Sequence, residues 1–159
     1  MKRIYMDNAA TTRVTEPVFE AMRPYFCEIF GNPSSVHAFG REARKAVEQA
    51  RRQVAAALGA QAGEIYFTGS GTEADNWALK GYALANQAKG RHIVTTNVEH
   101  HAVLHTCEFL QKQGFEVTYL PVDNQGLITA RQVAEAIRPD TVLVSVMFAN
   151  NEIGAVNPI

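Results

Sequence analysis

The sequence is short of the features that mark a secreted, membrane-bound or nucleic-acid-binding chain. It has two cysteines, Cys27 and Cys107, set in helix-like stretches without the spacing of a zinc site. They are read as reduced core thiols of a cytoplasmic protein rather than a disulfide. No apolar run is long enough to cross a bilayer. The basic start, Met1-Lys2-Arg3, is followed by Asp7 and polar residues where a signal peptide would carry its apolar core. Neither charge sign predominates: 15 Lys and Arg stand against 16 Asp and Glu, a net charge of −1. Both signs are interspersed, which argues against a nucleic-acid or membrane-surface partner. Internal repeats and low-complexity segments are absent. What remains is 47% hydrophobic and 19% charged over 159 residues, an ordinary globular composition that fits one domain by length.

The stretch that organises the chain is 64–76. Ile65, Tyr66, Phe67 and Thr68 read as a short strand. Gly69 and Gly71 allow a sharp turn and a close approach of backbone to a ligand. From Thr72 the run Glu73-Ala74-Asp75-Asn76-Trp77-Ala78-Leu79-Lys80 favours a helix, with acidic residues in its first turn. A helix N-terminus behind a small-residue loop offers free N–H donors, a site suited to phosphate. A plain capped βα turn fits equally well. No Gly-Lys-Ser/Thr follows, so this is not a Walker loop. Gly69, Gly71 and Ala74 do match the loose dinucleotide pattern Gly-x-Gly-x-x-Ala, which keeps a nicotinamide cofactor open.

Ile4 to Asp7 reads as a strand that leads into the small-residue loop Asn8-Ala9-Ala10-Thr11-Thr12. A helix follows from Glu16 to about Glu28, with Pro17 in its first turn and Pro24 kinking or re-setting it. Residues 31–40 form a turn-rich loop in which Asn32-Pro33-Ser34-Ser35 is either an Asx-type turn or part of a site. A helix from Arg41 to Leu58 carries Val47, Ala50, Val54 and Leu58 on one face and ends at Gly59. Its arginines read as a solvated surface. The helix after Thr72 runs to about Ala88 with Ala74, Ala78, Tyr82 and Ala85 as its packing face. Strands are expected at His92–Thr96, Phe115–Pro121 and Val142–Phe148, and helices through Val103, Cys107 and Leu110 and from Thr129 to Ile137. The last strand is almost continuously apolar, as when helices cover both its faces. Alternating strands and helices predict an α/β fold with a mostly parallel sheet flanked by helices.

Ligands of such sheets sit beyond the carboxyl ends of the strands. Three polar clusters follow strand ends here: Gly69 to Thr72, Glu99 to His101, and Asn150-Asn151-Glu152. A phosphate-bearing cofactor anchored at Gly71 and Thr72 would place its ring near His100 and Asn151. His101 and His105, at i and i+4 with Glu99 and His100 nearby, raise a metal site. No His-Glu-x-x-His is present, and no metal is expected.

Five ordered motifs resemble the cysteine desulfurases of the class V branch of the pyridoxal-phosphate aminotransferase fold. They are Tyr5 to Thr12; Gly31-Asn32-Pro33-Ser34-Ser35-x-His37; Phe67-Thr68-x-x-x-Thr72-Glu73-Ala74-Asp75-Asn76; Glu99-His100-x-Ala102-Val103; and Asn150-Asn151-Glu152-Ile153-Gly154. The resemblance displaces the nicotinamide alternative. It implies the N-terminal half of the large domain of fold type I, with an arm at 1–15 and a partial cofactor-binding domain at 16–159. It also implies that Gly71 and Thr72 hold the phosphate of pyridoxal 5′-phosphate. His100 would stack on the ring and assist proton transfer, and Asn151 would bond the ring hydroxyl. Asn8, Ala9 and Asn32 would line the substrate pocket. Gly69-Ser70 stands where Ser-Gly is common in the family, and keeps the small character.

The family's Schiff-base lysine, pyridine-nitrogen aspartate, substrate arginine and mobile-loop cysteine have no counterpart motif before Ile159. The five lysines are Lys2, Lys45, Lys80, Lys89 and Lys112, none in the expected context. The expectation is therefore the N-terminal part of a desulfurase, truncated or split, inactive by itself and completed by the remainder of the enzyme or a second polypeptide. The whole enzyme would take sulfur from L-cysteine, leaving alanine and an enzyme persulfide. It would serve a sulfur acceptor or an iron–sulfur scaffold protein as a homodimer. Another class V enzyme, such as a selenocysteine lyase or an aminotransferase, and a non-catalytic assembly module are the alternatives.

Overall fold

A computed structural model describes residues 3–159 and divides the chain into two compact units, the first ending at Phe67 and the second spanning Thr68–Ile159. Lys2 lies outside the described residues.

The first unit is helical. α1 (Glu16–Met22) carries Pro17 in its first turn, where the missing N–H costs nothing. Pro24 ends that run at Arg23 and opens α2 (Pro24–Cys27), so the expected re-setting occurs. Cys27 is exposed rather than a core thiol. A four-residue helix has too little length to bury both its faces. α3 (Ala38–Leu58) starts three residues earlier than its charge pattern suggested, because the His37 side chain caps it by accepting the Gly40 N–H. Gly59 ends it in the left-handed conformation, with φ of 67°.

Gly40, Ala43 and Ala55 are the buried positions of α3, whereas Val54 and Leu58 remain exposed. The expected apolar face is thus displaced toward its small residues, which permit closer backbone approach. Arg51 is not simply solvated either. It donates to the Ile65 carbonyl, pairs with Glu48 at 3.3 Å and lies 5.0 Å over the Phe67 ring. A 3₁₀ turn (Ala62–Glu64) follows α3. Neither Ile4–Asp7 nor Ile65–Thr68 forms a strand. β propensity describes a side chain's fit to a pleated surface, and without a hydrogen-bonding neighbour an extended segment stays outside any sheet.

The second unit is a three-stranded parallel sheet in the order β2-β1-β3, flanked by helices as expected. The chain passes through α4 (Gly71–Asn86), β1 (His92–Thr96), α5 (His101–Lys112), β2 (Glu116–Leu120), α6 (Ala130–Ala136) and β3 (Thr141–Ser145). Side chains of β1 alternate between two cores. Ile93 packs with Leu79 and Ala83 of α4, with Val103, Cys107 and Leu110 of α5, and with Phe115. Val94 packs on the other side with Leu120 and Ile128, against Val133 and Ala136 of α6. All five β1 residues are buried, as befits the central strand.

The face α4 buries is that of Leu79 and Ala83, not the expected Ala74, Ala78, Tyr82 and Ala85, which are exposed. Small residues are compatible with close packing but do not drive it, whereas burying a leucine contributes about 2 kcal/mol. β3 ends at Ser145, and Val144 remains 40% exposed, so its apolar run is covered less fully than expected.

Candidate functional site

The α5 and α6 connections each return the chain, so the carboxyl ends of the parallel strands share one edge of the second unit. Four of the expected site residues lie along it. Gly71 and Thr72 open α4, His100 caps α5 directly beyond β1, and Asn151 lies in the turn beyond β3. Asp75, in the first helical turns of α4, is close enough to Glu99 to act on its ionisation. That places the start of α4 at the same end as the β1–α5 loop. Asn8, Ala9 and Asn32 belong to the first unit. There the Asn32 Oδ1 accepts the Ser34 N–H at 2.9 Å, forming the Asx turn its sequence allowed.

At the start of α4 the donors are partitioned. Ser70 Oγ accepts the Glu73 N–H at 3.1 Å, and the Glu73 carboxylate accepts the Gly69 N–H at 2.7 Å. The Ala74 N–H already reaches the Ser70 carbonyl. The N–H groups of Gly71 and Thr72 are left without an acceptor among the described residues, and both residues are exposed. A Cβ built on Gly71 would meet nothing within 4 Å, so the approach to these donors is open.

His100 is held by one nitrogen. Its Nδ1 accepts the Ala102 N–H at 3.0 Å, so the neutral ring carries its proton on Nε2. The ring is exposed. His101 and His105 stack on one another with centroids 5.5 Å apart. Among the described residues no group of three His, Cys, Asp or Glu side chains is arranged to hold a metal.

Beneath the exposed residues runs a buried polar network that the sequence reading did not resolve. Glu99 Oε1 accepts from Thr96 Oγ1 at 2.9 Å and from the Met147 N–H at 2.8 Å. Asn150 donates to the Val98 carbonyl at 2.8 Å and accepts the N–H groups of Glu152 and Ile153. Asn157 donates to the Met147 carbonyl and accepts the Ile128 N–H. Burial pushes the Glu99 carboxyl above its ordinary range, partly offset by the Met147 and Thr96 hydrogen bonds. Burial, with Glu99 nearby, likewise raises the Cys107 thiol to about 11. Cys107 is therefore a packing residue, not a nucleophile. The only signal in sequence was that Glu99 and Asn150 stand in polar clusters after strands; nothing marked Asn157.

The profile of the aminotransferase class-V family matches residues 4–159. The chain belongs to that family. Class-V aminotransferases are pyridoxal-phosphate enzymes, and the relatives this chain resembles are named cysteine desulfurases. It is 58% identical over 158 residues to the cysteine desulfurase IscS of Methanosarcina thermophila, covering 99% of this chain and 39% of the relative. It is 59% identical over 159 residues to a putative cysteine desulfurase, IscS 1, of Bacillus subtilis (strain 168), covering 100% of this chain and 42% of the relative. A solved structure titled a NifS-like protein superposes with a TM-score of 0.95 at 44% identity, covering 99% of this chain and 43% of that one. Another, titled SspA in complex with cysteine, gives a TM-score of 0.91 at 45% identity, covering 97% and 44%. The class-V chain thus spans about two fifths of the length of these relatives. The fold of the corresponding part of fold type I is shared. No helix among the described residues is long and apolar enough to cross a membrane.

Proposed function

We propose that this chain supplies the phosphate- and ring-binding side of the pyridoxal-phosphate site of a cytoplasmic, homodimeric cysteine desulfurase. The observation that carries the proposal is the pair of open, unpartnered N–H groups of Gly71 and Thr72 at the strand-end edge that also bears His100 and Asn151. The donor set fits the group. A helix N-terminus with spare N–H groups receives a phosphate dianion. An exposed imidazole held at Nδ1 presents a flat face and a free Nε2. The Asn151 amide uses one N–H on Glu152, at 3.0 Å, and keeps a second for a hydroxyl oxygen.

When bound, pyridoxal phosphate supplies an electron sink that makes bonds at the amino-bearing carbon of a substrate breakable. The residues of this chain then bind, orient and move protons. Gly71 and Thr72 would hold the phosphate through their free N–H groups, and Asn151 would donate to the ring hydroxyl oxygen. His100 Nε2 holds a proton for transfer to or from the reacting substrate. A cysteine thiolate supplied by the remainder of the enzyme takes the sulfur as a persulfide, leaving alanine, and passes it to an acceptor such as an iron–sulfur scaffold protein. The lysine that carries the cofactor also comes from that remainder, so a polypeptide limited to these 159 residues would not turn over.

Borohydride reduction of the natively isolated protein followed by intact-mass measurement tests this. The expected result is one phosphopyridoxyl group on a species bearing the missing lysine, either on the same longer chain or on a second polypeptide. An adduct on any of Lys2, Lys45, Lys80, Lys89 or Lys112, or desulfuration of cysteine by these residues alone, would sink the assignment.

A further inference from the structure

We propose that Glu99 and Asn150 are positioning residues that set the separation of His100 and Asn151; this rests on the function proposed above. The hydrogen-bonded register of β1 with β3 ends at the pair Thr95 and Ser145. Beyond it no ladder fixes how far apart the two outgoing segments run, and the next residues along them include His100 and Asn151. Two side chains take over there. Glu99 Oε1 gathers the Thr96 hydroxyl and the Met147 N–H, which binds the β1 side to the β3 side. Asn150 ties in the opposite direction, from the β3 side to the Val98 carbonyl. Its Oδ1 meanwhile closes the turn that bears Asn151, by accepting the N–H groups of Glu152 and Ile153.

One tether would leave a hinge. Two tethers anchored at different points fix both distance and twist. Each is buried, 6% exposed for Glu99 and 7% for Asn150, and each immediately precedes its exposed partner. A buried carboxyl is costly to hold, and an apolar side chain would fill the space at less expense. Asn157 braces the same point by accepting the Ile128 N–H and donating to the Met147 carbonyl, so Met147 is held on both its peptide groups.

The test uses the natural full-length protein, titrated with pyridoxal phosphate and followed by the circular dichroism of the bound cofactor. Glu99→Gln retains the Oε1 acceptor and is expected to keep wild-type affinity and dichroism. Glu99→Ala removes both accepted bonds, and about tenfold weaker cofactor binding with an altered dichroic band is expected. Asn150→Asp keeps the accepted bonds but loses the donation to Val98, and the same change of band is expected. A merely structural role would lower melting temperatures and leave the band of folded protein unchanged, and that result overturns the proposal. Should Glu99→Ala not fold, Asn150→Asp decides by the same band. A wild-type protein that binds no pyridoxal phosphate overturns the function itself, so the two failures are separable.

Discussion

In the proposed site His100 would combine two roles, stacking and proton transfer, that its geometry allows to be separated. The Nδ1 bond to Ala102 fixes the ring plane, and the exposed face and Nε2 are then available to different tasks. A phenylalanine keeps the flat face and loses the nitrogen, whereas alanine loses both. In the complete enzyme, His100→Phe is expected to hold pyridoxal phosphate within a few-fold of wild type. Its turnover should fall by about a hundredfold or more, the usual share of a positioned acid–base group. His100→Ala is expected to lose both. Equal affinity losses in the two variants would exclude stacking. At this scale the strand-end positions of the proposed site were legible in sequence, since His100 and Asn151 stand in polar clusters after strands. Glu99, Asn150 and Asn157 were not assigned, because their role depends on which backbone groups lie across from them.

Among the elements, β1, α5, β2 and α6 appear where periodicity and turn chemistry placed them. Thr129 caps α6 with a reciprocal bond from Gln132, and Asp123 closes the preceding turn by accepting the N–H groups of Gln125 and Leu127. Two glycines of neighbouring elements have opposite requirements. A Cβ on Gly90, just before β1, would lie 2.1 Å from the Asp140 carbonyl oxygen. Gly90→Ala is therefore expected to destabilise by about 1–3 kcal/mol through forced backbone displacement. Gly81, inside α4, has nothing closer than 3.6 Å to such an atom, and Gly81→Ala is expected to stabilise by about 0.5–1 kcal/mol. Urea unfolding of the two variants checks both signs, and a stabilised Gly90→Ala would refute the close approach. The burying face of α4 was misread because its alanines satisfy helical spacing equally well on several faces.

For the molecule, pH acts through the amino end of the sheet. His92 is fully buried, its ring nitrogens bonded to the hydroxyls of Thr141 at 2.7 Å and Thr118 at 2.8 Å. Burial first, and the nearby Arg138 second, hold its pKa below 6.5. The unfolded chain therefore takes up this proton at higher pH than the folded one. The stability His92 contributes is present above about pH 6.5 and is lost as pH falls below it. Glu99, with its carboxyl raised, acts in the opposite sense above its ordinary value of 4.5, so a subtraction is needed. The stability difference between wild type and His92→Gln is expected to be flat above pH 6.5 and to decline on acidification, as measured by urea unfolding with amide exchange in β1. A difference that grows toward low pH would reverse the assignment.

Sequence alone determined the alternation of strands and helices, the parallel sheet and the strand-end clusters, since these follow from local periodicity, turn residues and caps. It also carried the family resemblance through five ordered motifs. The tertiary structure decided which segments of high β propensity enter a sheet, since pairing needs a neighbour: Ile65 to Thr68 has none among the described residues, whereas His92 to Thr96 has one on each side. It also decided which polar side chains become the frame beneath the site. Glu99 and Asn150 do so only because the β1 and β3 ends meet, and burial beside particular N–H and C=O groups is a property of that meeting, not of either segment.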